Sequence, residues 1–343
     1  MMRRLLFAFV AAFAGALFAS RVGAQTDVGP TLAQIVKRSY LTCGVTAAPG
    51  FAQRDGAGEW RGFDVDFCRA VASAVLDDPS KARIVELPPK ARVGALQSGA
   101  IDLAASASPW TQTRDAGQKL IYAGVSLYDG QGFIVRRPRG FNSVQDLDGV
   151  AICIEQGTPY ELEVADFFRA RKMKYDAKLF ASFEDAAKAY DEGKCDALTA
   201  DISTLHVVRI GLTTPAEHAV LPDLISKSPR GPLVRQGDDQ WLNIVRWTLF
   251  AMVDAEELDV SKANADAALS SEKPQIRRLL GVDGAHGGDL GLSEDWAYRI
   301  VKHVGNYADV FERNLGQGAP FGMDRRLNAL WNRGGLMYAP PVR

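Results

Sequence analysis

Leu41-Thr42-Cys43-Gly44-Val45 is a short apolar run ending in a loop, and Gly62-Phe63-Asp64-Val65-Asp66 opens a helix, with acids in its first turn, that residues 70–76 continue. Strand, loop and helix in that order begin an α/β unit. Working outward, residues 83–87 read as a strand, 91–97 as a helix stopped by Ser98-Gly99, and 101–105 as a strand. This alternation predicts an α/β lobe on a largely parallel sheet. The same order then restarts with a helical turn at 143–147, strands at 150–154, 178–180 and 197–200, and helices at 158–171 and 183–190. A second α/β lobe is expected. Leu96-Gln97-Ser98-Gly99-Ala100-Ile101-Asp102 and Tyr190-Asp191-Glu192-Gly193-Lys194-Cys195-Asp196 share one pattern: helix, glycine stop, then a strand opening with Asp.

Residues 131–135 form an extended apolar run before Arg136-Arg137-Pro138-Arg139-Gly140, a composition that closes one unit and starts a linker. A return crossing fits Pro229-Arg230-Gly231-Pro232-Leu233-Val234, and two crossing strands make a hinge. The expected boundaries are 1–24 for a signal peptide, 25–134 for the first part of lobe one, 135–231 for lobe two, and 232–343 for the return to lobe one with a helical C-terminal extension. In that extension, residues 241–253 read as a core helix. Ser293 reads as the N-cap of a helix with Trp296, Ile300, Val304, Tyr307 and Phe311 on one face, and residues 327–331 as a helix stopped by Gly334-Gly335.

The 343 residues carry 40 Lys+Arg against 41 Asp+Glu, a net charge of -1, so no global basic field exists to recruit nucleic acid. With 47% hydrophobic residues the chain can build more than one core. Arg3 and Arg4 precede an apolar stretch over 5–19, and Val22-Gly23-Ala24 offers small residues for cleavage, which reads as a secretory signal. About 15 apolar residues fall short of the roughly 20 needed to span a bilayer. Export places Cys43, Cys68, Cys153 and Cys195 in an oxidising compartment, with no C-x-x-C pair and only four scattered histidines, His206, His218, His286 and His303. Three pairings are possible. The sequence-local one joins Cys43 to Cys68 and Cys153 to Cys195, one bridge per lobe, against the alternative of buried thiols. Neither a metal nor a cofactor is expected.

Open α/β sheets bind ligands beyond the carboxyl ends of their strands. After residues 101–105 come Ser106, Ser108, Trp110 and Thr111, with Arg114 one helical turn in. Small hydroxyls, loop amides and a guanidinium make a socket for a carboxylate, although Arg114 read alone is more often a surface or lobe-stabilising arginine. After residues 197–200 comes Asp201, suited to an ammonium group or, as the blander reading, to capping the next helix. Gly157-Thr158-Pro159 turns onto a helix N-terminus where Thr158 could face the same anion, and Phe51 and Trp110 could supply an apolar wall. No G-x-S-x-G, G-x-x-x-x-G-K or H-E-x-x-H occurs.

Gly62-Phe63-Asp64-Val65-Asp66, Ala95-Leu96-Gln97-Ser98-Gly99-x-x-Asp102, Thr111-x-x-Arg114, Tyr128-Asp129-Gly130-Gln131-Gly132-Phe133, Gln156-Gly157-Thr158 and Asp196-Ala197-x-x-Ala200-Asp201 resemble the periplasmic polar amino-acid-binding proteins of ABC importers. Arg235-Gln236-Gly237-Asp238-Asp239-Gln240-Trp241, and the stretch from Trp296-Ala297-Tyr298-Arg299 to Gly335-Leu336-Met337-Tyr338-Ala339-Pro340-Pro341, are similar to the longer general L-amino-acid-binding subfamily of these family 3 solute-binding proteins. The resemblance covers nearly the whole mature chain. It implies a type II, two-lobed periplasmic-binding-protein-like (Venus flytrap) fold, α/β in class. The lobes would close on one free L-amino acid or derivative in the periplasm and deliver it to an ABC permease. It places the α-carboxylate on Arg114, helped by the backbone of residues 106–111 and by Thr158, and the α-ammonium on Asp201. Two departures stand out. The subfamily reads like S-R-N-T-T-W where this chain has Ala105-Ser106-Ala107-Ser108-Pro109-Trp110, and like G-T-T-T-E where it has Gly157-Thr158-Pro159-Tyr160-Glu161, so Pro159 brings no N–H. These predict specificity narrowed or shifted toward less polar amino acids or a derivative. The alternative is a periplasmic dehydratase-type enzyme, acting on prephenate or arogenate, with Glu161 as its acid.

Overall fold

The computed structural model describes residues 28–105 and 109–343. The expected signal peptide lies outside them, as do Ser106, Ala107 and Ser108 of the first-lobe loop. Two five-stranded sheets organise the chain. In the first, the order is Ala82–Glu86, Leu41–Val45, Leu103–Ala104, Leu233–Arg235, Leu120–Tyr122. The first three strands run parallel, and Leu233–Arg235 is antiparallel to both its neighbours. In the second sheet the order is His218–Val220, Gln131–Arg136, Ala197–Asp201, Val150–Glu155, Tyr175–Phe180. Again three strands are parallel, and Gln131–Arg136 is antiparallel to the two beside it.

The repeated glycine pattern is a structural repeat. Gly99 and Gly193 both take left-handed φ, 78° and 81°, just past their helices. The Asp102 amide donates to the Thr42 carbonyl and its carboxylate accepts from the Thr42 amide; Asp196 does the same with Ala151. Each aspartate ties the start of one strand to its parallel neighbour, and each is paired with an arginine, Arg38 or Arg139. Strand alternation then sorts the second lobe's core into two faces: Phe133, Val135, Ile152 and Ile154 meet Phe168 on one side, while Ile134, Cys153 and Leu198 meet Tyr190 and Leu205 on the other. Cys43 is bonded to Cys68 and Cys153 to Cys195, one bridge in each lobe.

Gln131–Arg136 belongs wholly to the second sheet, so the first crossing precedes it instead of falling at 134/135. The hinge consists of residues 123–130 and 221–232 running antiparallel, with Ala123 N–H on Pro232 O at 2.8 Å, Ser126 N–H on Arg230 O at 2.8 Å, Arg230 N–H on Leu127 O at 2.8 Å and Ser228 N–H on Asp129 O at 2.8 Å. Glycine permits that approach: a Cβ on Gly231 would stand 1.8 Å from Gly124 O, and one on Gly130 2.3 Å from Ser226 O.

The C-terminal helices pack on the first lobe, where Trp241, Ile244, Trp296, Ile300, Tyr307 and Phe311 share a core with Leu41, Val45 and Val71. Among the described residues no helix is long and apolar enough to cross a membrane. The helix expected after Ser293 is two helices, Trp296–His303 and Tyr307–Asn314, and Asp295, not Ser293, stands at the first N-cap. Gly305 breaks the run with φ +109°, and Asn306 forms a reciprocal capping box with Asp309. Residues 327–331 are not one helix but run from the end of one 3-10 turn, Arg326–Asn328, into the start of another, Trp331–Arg333, and Leu330 between them bridges to Met337. This segment also straps the back of the hinge. The Asn328 side chain accepts from Tyr128 N–H at 2.7 Å and donates to Tyr128 O at 2.9 Å, Tyr307 hydroxyl donates to Ser126 O, and Arg209 from the second lobe donates to Phe321 O at 2.9 Å.

Candidate functional site

Between the lobes lies a cleft of about 730 Å³ lined by loops at the ends of strands from both sheets. From the first lobe come Phe51, Pro109, Thr111 and Arg114; from the second, Thr158, Pro159, Tyr160, Glu163 and Asp201; from the hinge, Lys227, Ser228 and Arg230. The structure thus brings together Arg114, Asp201, Thr158, Thr111, Phe51 and Pro159. Ser106 and Ser108 fall outside the described residues. Trp110 is not among the lining side chains: its ring stacks on Tyr122 at 4.8 Å and its Nε1–H donates to Asp115, so its apolar face is spent inside the first lobe. Phe51, by contrast, is buried against Phe63 and still borders the cleft.

Thr111 caps the short helix Gln112–Gly117, its hydroxyl accepting from the Arg114 amide, which orients Arg114 at the cleft. One Arg114 nitrogen donates to Pro109 O at 2.9 Å, an oxygen that also accepts from the Tyr122 hydroxyl. A guanidinium has five N–H groups, so a planar acceptor can still be held. On the opposite wall, Thr158 precedes the helix Pro159–Ala170, and its hydroxyl donates to Glu155 O at 2.8 Å. Glu161 accepts the Gly157 amide at 2.8 Å; its carboxylate is engaged in closing the turn, and Glu163, not Glu161, lines the cleft.

Asp201 is at the N-cap of Ile202–Gly211 yet makes no side-chain capping bond. Its carboxylate turns to Arg230 at 2.8 Å and to the Ser228 hydroxyl at 3.3 Å. Arg230 also pairs with Asp129 at 2.9 Å, and Asp129 accepts from the Ser203 hydroxyl. Two carboxylates therefore share one buried guanidinium. Burial, with the neighbouring Asp129 charge, pushes the Asp201 carboxyl above the usual range while Arg230 opposes it. Burial works against the charge of Arg230, but Asp129 and Asp201 outweigh it and raise its pKa. Asp64 lies fully buried nearby. Burial pushes its carboxyl up to about 7 against the pull of Arg230 and Arg92, and its Oδ2 has no hydrogen-bond partner.

Sequence reasoning missed Arg230, Tyr160 and Glu163. An arginine in a Pro-Arg-Gly-Pro crossing reads as solvated, and only the pairing of the two hinge segments puts it beside Asp129 and Asp201. Past Arg114 and Gln118 the cleft adjoins a second compartment of about 380 Å³ whose lining includes Lys90 and Arg92. Among the described residues no cluster of three or more His, Cys, Asp or Glu could hold a metal ion.

Residues 41–263 match the family profile of the bacterial extracellular solute-binding proteins, family 3. The chain is 47% identical over 325 residues to the general L-amino acid-binding periplasmic protein AapJ of Rhizobium johnstonii, covering 94% of this chain and 95% of that one. It is 46% identical over 336 residues to the putative amino-acid ABC transporter-binding protein YhdW of Escherichia coli K12, covering 97% and 98%. Among solved structures, an ABC transporter periplasmic binding protein from Brucella ovis with glutathione bound is 47% identical, covers 91% of this chain and 99% of its own, and superposes with a TM-score of 0.80. Two mixed sheets, a two-stranded hinge, a cleft between them and relatives that match almost end to end agree: the chain belongs to the family 3 bacterial extracellular solute-binding proteins.

Proposed function

We propose that this protein captures, in the periplasm, a ligand with an α-amino acid head and hands it to the permease of an ABC importer, and that it performs no chemistry on it. The observation that carries this reading is the presence of Arg114 from one lobe and Asp201 from the other on the walls of one cleft. A zwitterion satisfies both at once only when the lobes are closed, so the ligand stabilises the closed state by its differential contacts. The close relatives, described as amino-acid-binding proteins of transport systems, support the same ligand class and weigh against a dehydratase. The engagement of Glu161 in its turn does so too.

The second compartment, with Lys90 and Arg92 near Arg114, favours ligands that carry a further acceptor group, either an acidic side chain or the distant carboxylate of a γ-glutamyl peptide. The glutathione in the Brucella relative is such a peptide. This modifies the expectation of a less polar ligand while keeping that of an amino-acid derivative. Calorimetric titration of the mature protein with the free L-amino acids and glutathione tests the reading. Arg114→Ala should weaken the best ligand at least tenfold, about 1.4 kcal/mol, since its carboxylate loses a charged partner. Unchanged affinity would remove Arg114 from the site.

A further inference from the structure

Arg230 is 7% exposed, lies in the second hinge crossing, and borders the cleft. It contacts both Asp129, from the first crossing, and Asp201, from the end of a second-lobe strand. We propose that Arg230 sets the charge of the ligand side chain: with it in place the buried cluster is balanced by one ammonium and the cleft selects amino acids with neutral or acidic side chains, and without it the cleft turns toward basic ones. This rests on the reading of Asp201 as the ammonium acceptor.

The argument is one of charge counting at short range. With both carboxylates ionised, Asp129, Asp201 and Arg230 together carry a single negative charge, which one α-ammonium cancels. A lysine or arginine ligand brings a second cation, and Asp201 and Asp129 then have nothing left to offer it. Lys90 and Arg92 of the adjoining compartment also disfavour a basic side chain in the wild type, so the role of Arg230 is read from the change that its replacement causes. Asp64 faces Arg230 and Arg92 from the first lobe, Tyr160 approaches Asp201 from the second, and Lys227 and Glu163 on the lining carry opposite signs. Replacing Arg230 with an apolar side chain would leave two carboxylates for one ammonium, and in a buried site the surplus charge acts through a low effective dielectric. The Arg230 guanidinium is held in place by Asp129 at 2.9 Å, Asp201 at 2.8 Å and the Phe51 ring, whose centre is 5.5 Å from Cζ, while its backbone is bonded to Leu127 and Ser126 across the hinge.

The experiment is calorimetric titration of wild type, Arg230→Met and Arg230→Lys with L-glutamine, L-glutamate, L-leucine, L-lysine and L-arginine. Wild type should bind its best neutral or acidic ligand at least tenfold tighter than lysine or arginine. Arg230→Met should shift that ratio by tenfold or more toward the basic ligands, and Arg230→Lys, which keeps the cation, should preserve the wild-type order. Wild type binding lysine or arginine as tightly as the best neutral or acidic ligand would overturn the inference. So would a folded Arg230→Met with the wild-type ratio, or a folded Arg230→Lys that loses the order. Should Arg230→Met not fold, Arg230→Gln, which is neutral but keeps hydrogen-bond donors for the two carboxylates, takes its place with the same expected and refuting outcomes. Loss of discrimination in a wild type that still needs Arg114 would sink this inference alone, whereas no binding of any amino acid would sink the site reading and this inference with it.

Discussion

Gly231→Ala probes how tightly the two hinge segments are fitted. The new Cβ would fall 1.8 Å from the Gly124 carbonyl oxygen, far inside the 3.0 Å below which real Cβ contacts essentially never occur. The obstacle is backbone, so no side-chain rotation relieves it, and the crossings must part by roughly 1 Å or more. Ala123 N–H to Pro232 O and Ser126 N–H to Arg230 O, both 2.8 Å, would then stretch to nearly 4 Å and cease to be hydrogen bonds. Two lost bonds at about 1 kcal/mol each, with about 1–3 kcal/mol for overpacking, give a cost of roughly 3–5 kcal/mol. Urea unfolding followed by tryptophan fluorescence measures it. Ligand affinity should fall as well, because Arg230 moves with the displaced segment. Gly94→Ala serves as a control: it lies mid-helix in Pro89–Ser98 with open space around it, and should stabilise by about 0.5–1 kcal/mol. A Gly231→Ala protein within 1 kcal/mol of wild type and with unchanged affinity would show that the crossings have slack, and the description of the hinge would be wrong.

Two further outcomes follow from buried groups. Asp64, held up to about 7 when folded, binds more protons folded than unfolded between roughly pH 4 and 7; the cost of burying its charge is therefore absent at low pH, grows as pH rises from about 4 through 7, and is complete above that. Asp64→Asn should stabilise by a few kcal/mol at pH 8 and by little at pH 4 in paired denaturation curves, and a pH-independent difference would contradict this. The disulfides close loops of 25 and 42 residues, and each should contribute roughly 3–4 kcal/mol by restricting the unfolded chain. Removing the second bridge as Cys153→Ala with Cys195→Ala should lower the melting temperature by several degrees or more, and an unaltered melting temperature would refute the estimate.

The chemistry of the site was only partly legible in advance. Arg114 and Asp201 could be singled out as candidates because both follow the carboxyl ends of strands, where such sheets place ligands; the residues alone left a surface arginine and a helix cap as alternatives, the family resemblance favoured the ligand roles, and both side chains line the cleft. Trp110 was misjudged because an aromatic in a loop can turn either way, and the partner that fixes it, Tyr122, is on a strand that local pattern did not reveal. The single long helix after Ser293 was misread for a related reason: its apolar face continues across Gly305, while the capping box that ends one helix and starts the next is a local polar event.

What the sequence by itself determined is what short-range physics controls. Apolar periodicity, glycine stops and the Asp that opens a strand sufficed for two α/β lobes, and the even cysteine set, one local pair per lobe, favoured the two bridges that the structure holds. Only the tertiary structure decided where the hinge lies, that residues near the C-terminus strap it from behind, and that Arg230 joins Asp129 to Asp201. These depend on pairing between segments far apart in the chain, where the gain from contact must exceed the entropy of bringing them together and no local pattern records the partner. A buried arginine and a solvated one look alike in sequence; the two carboxylates that meet it distinguish them.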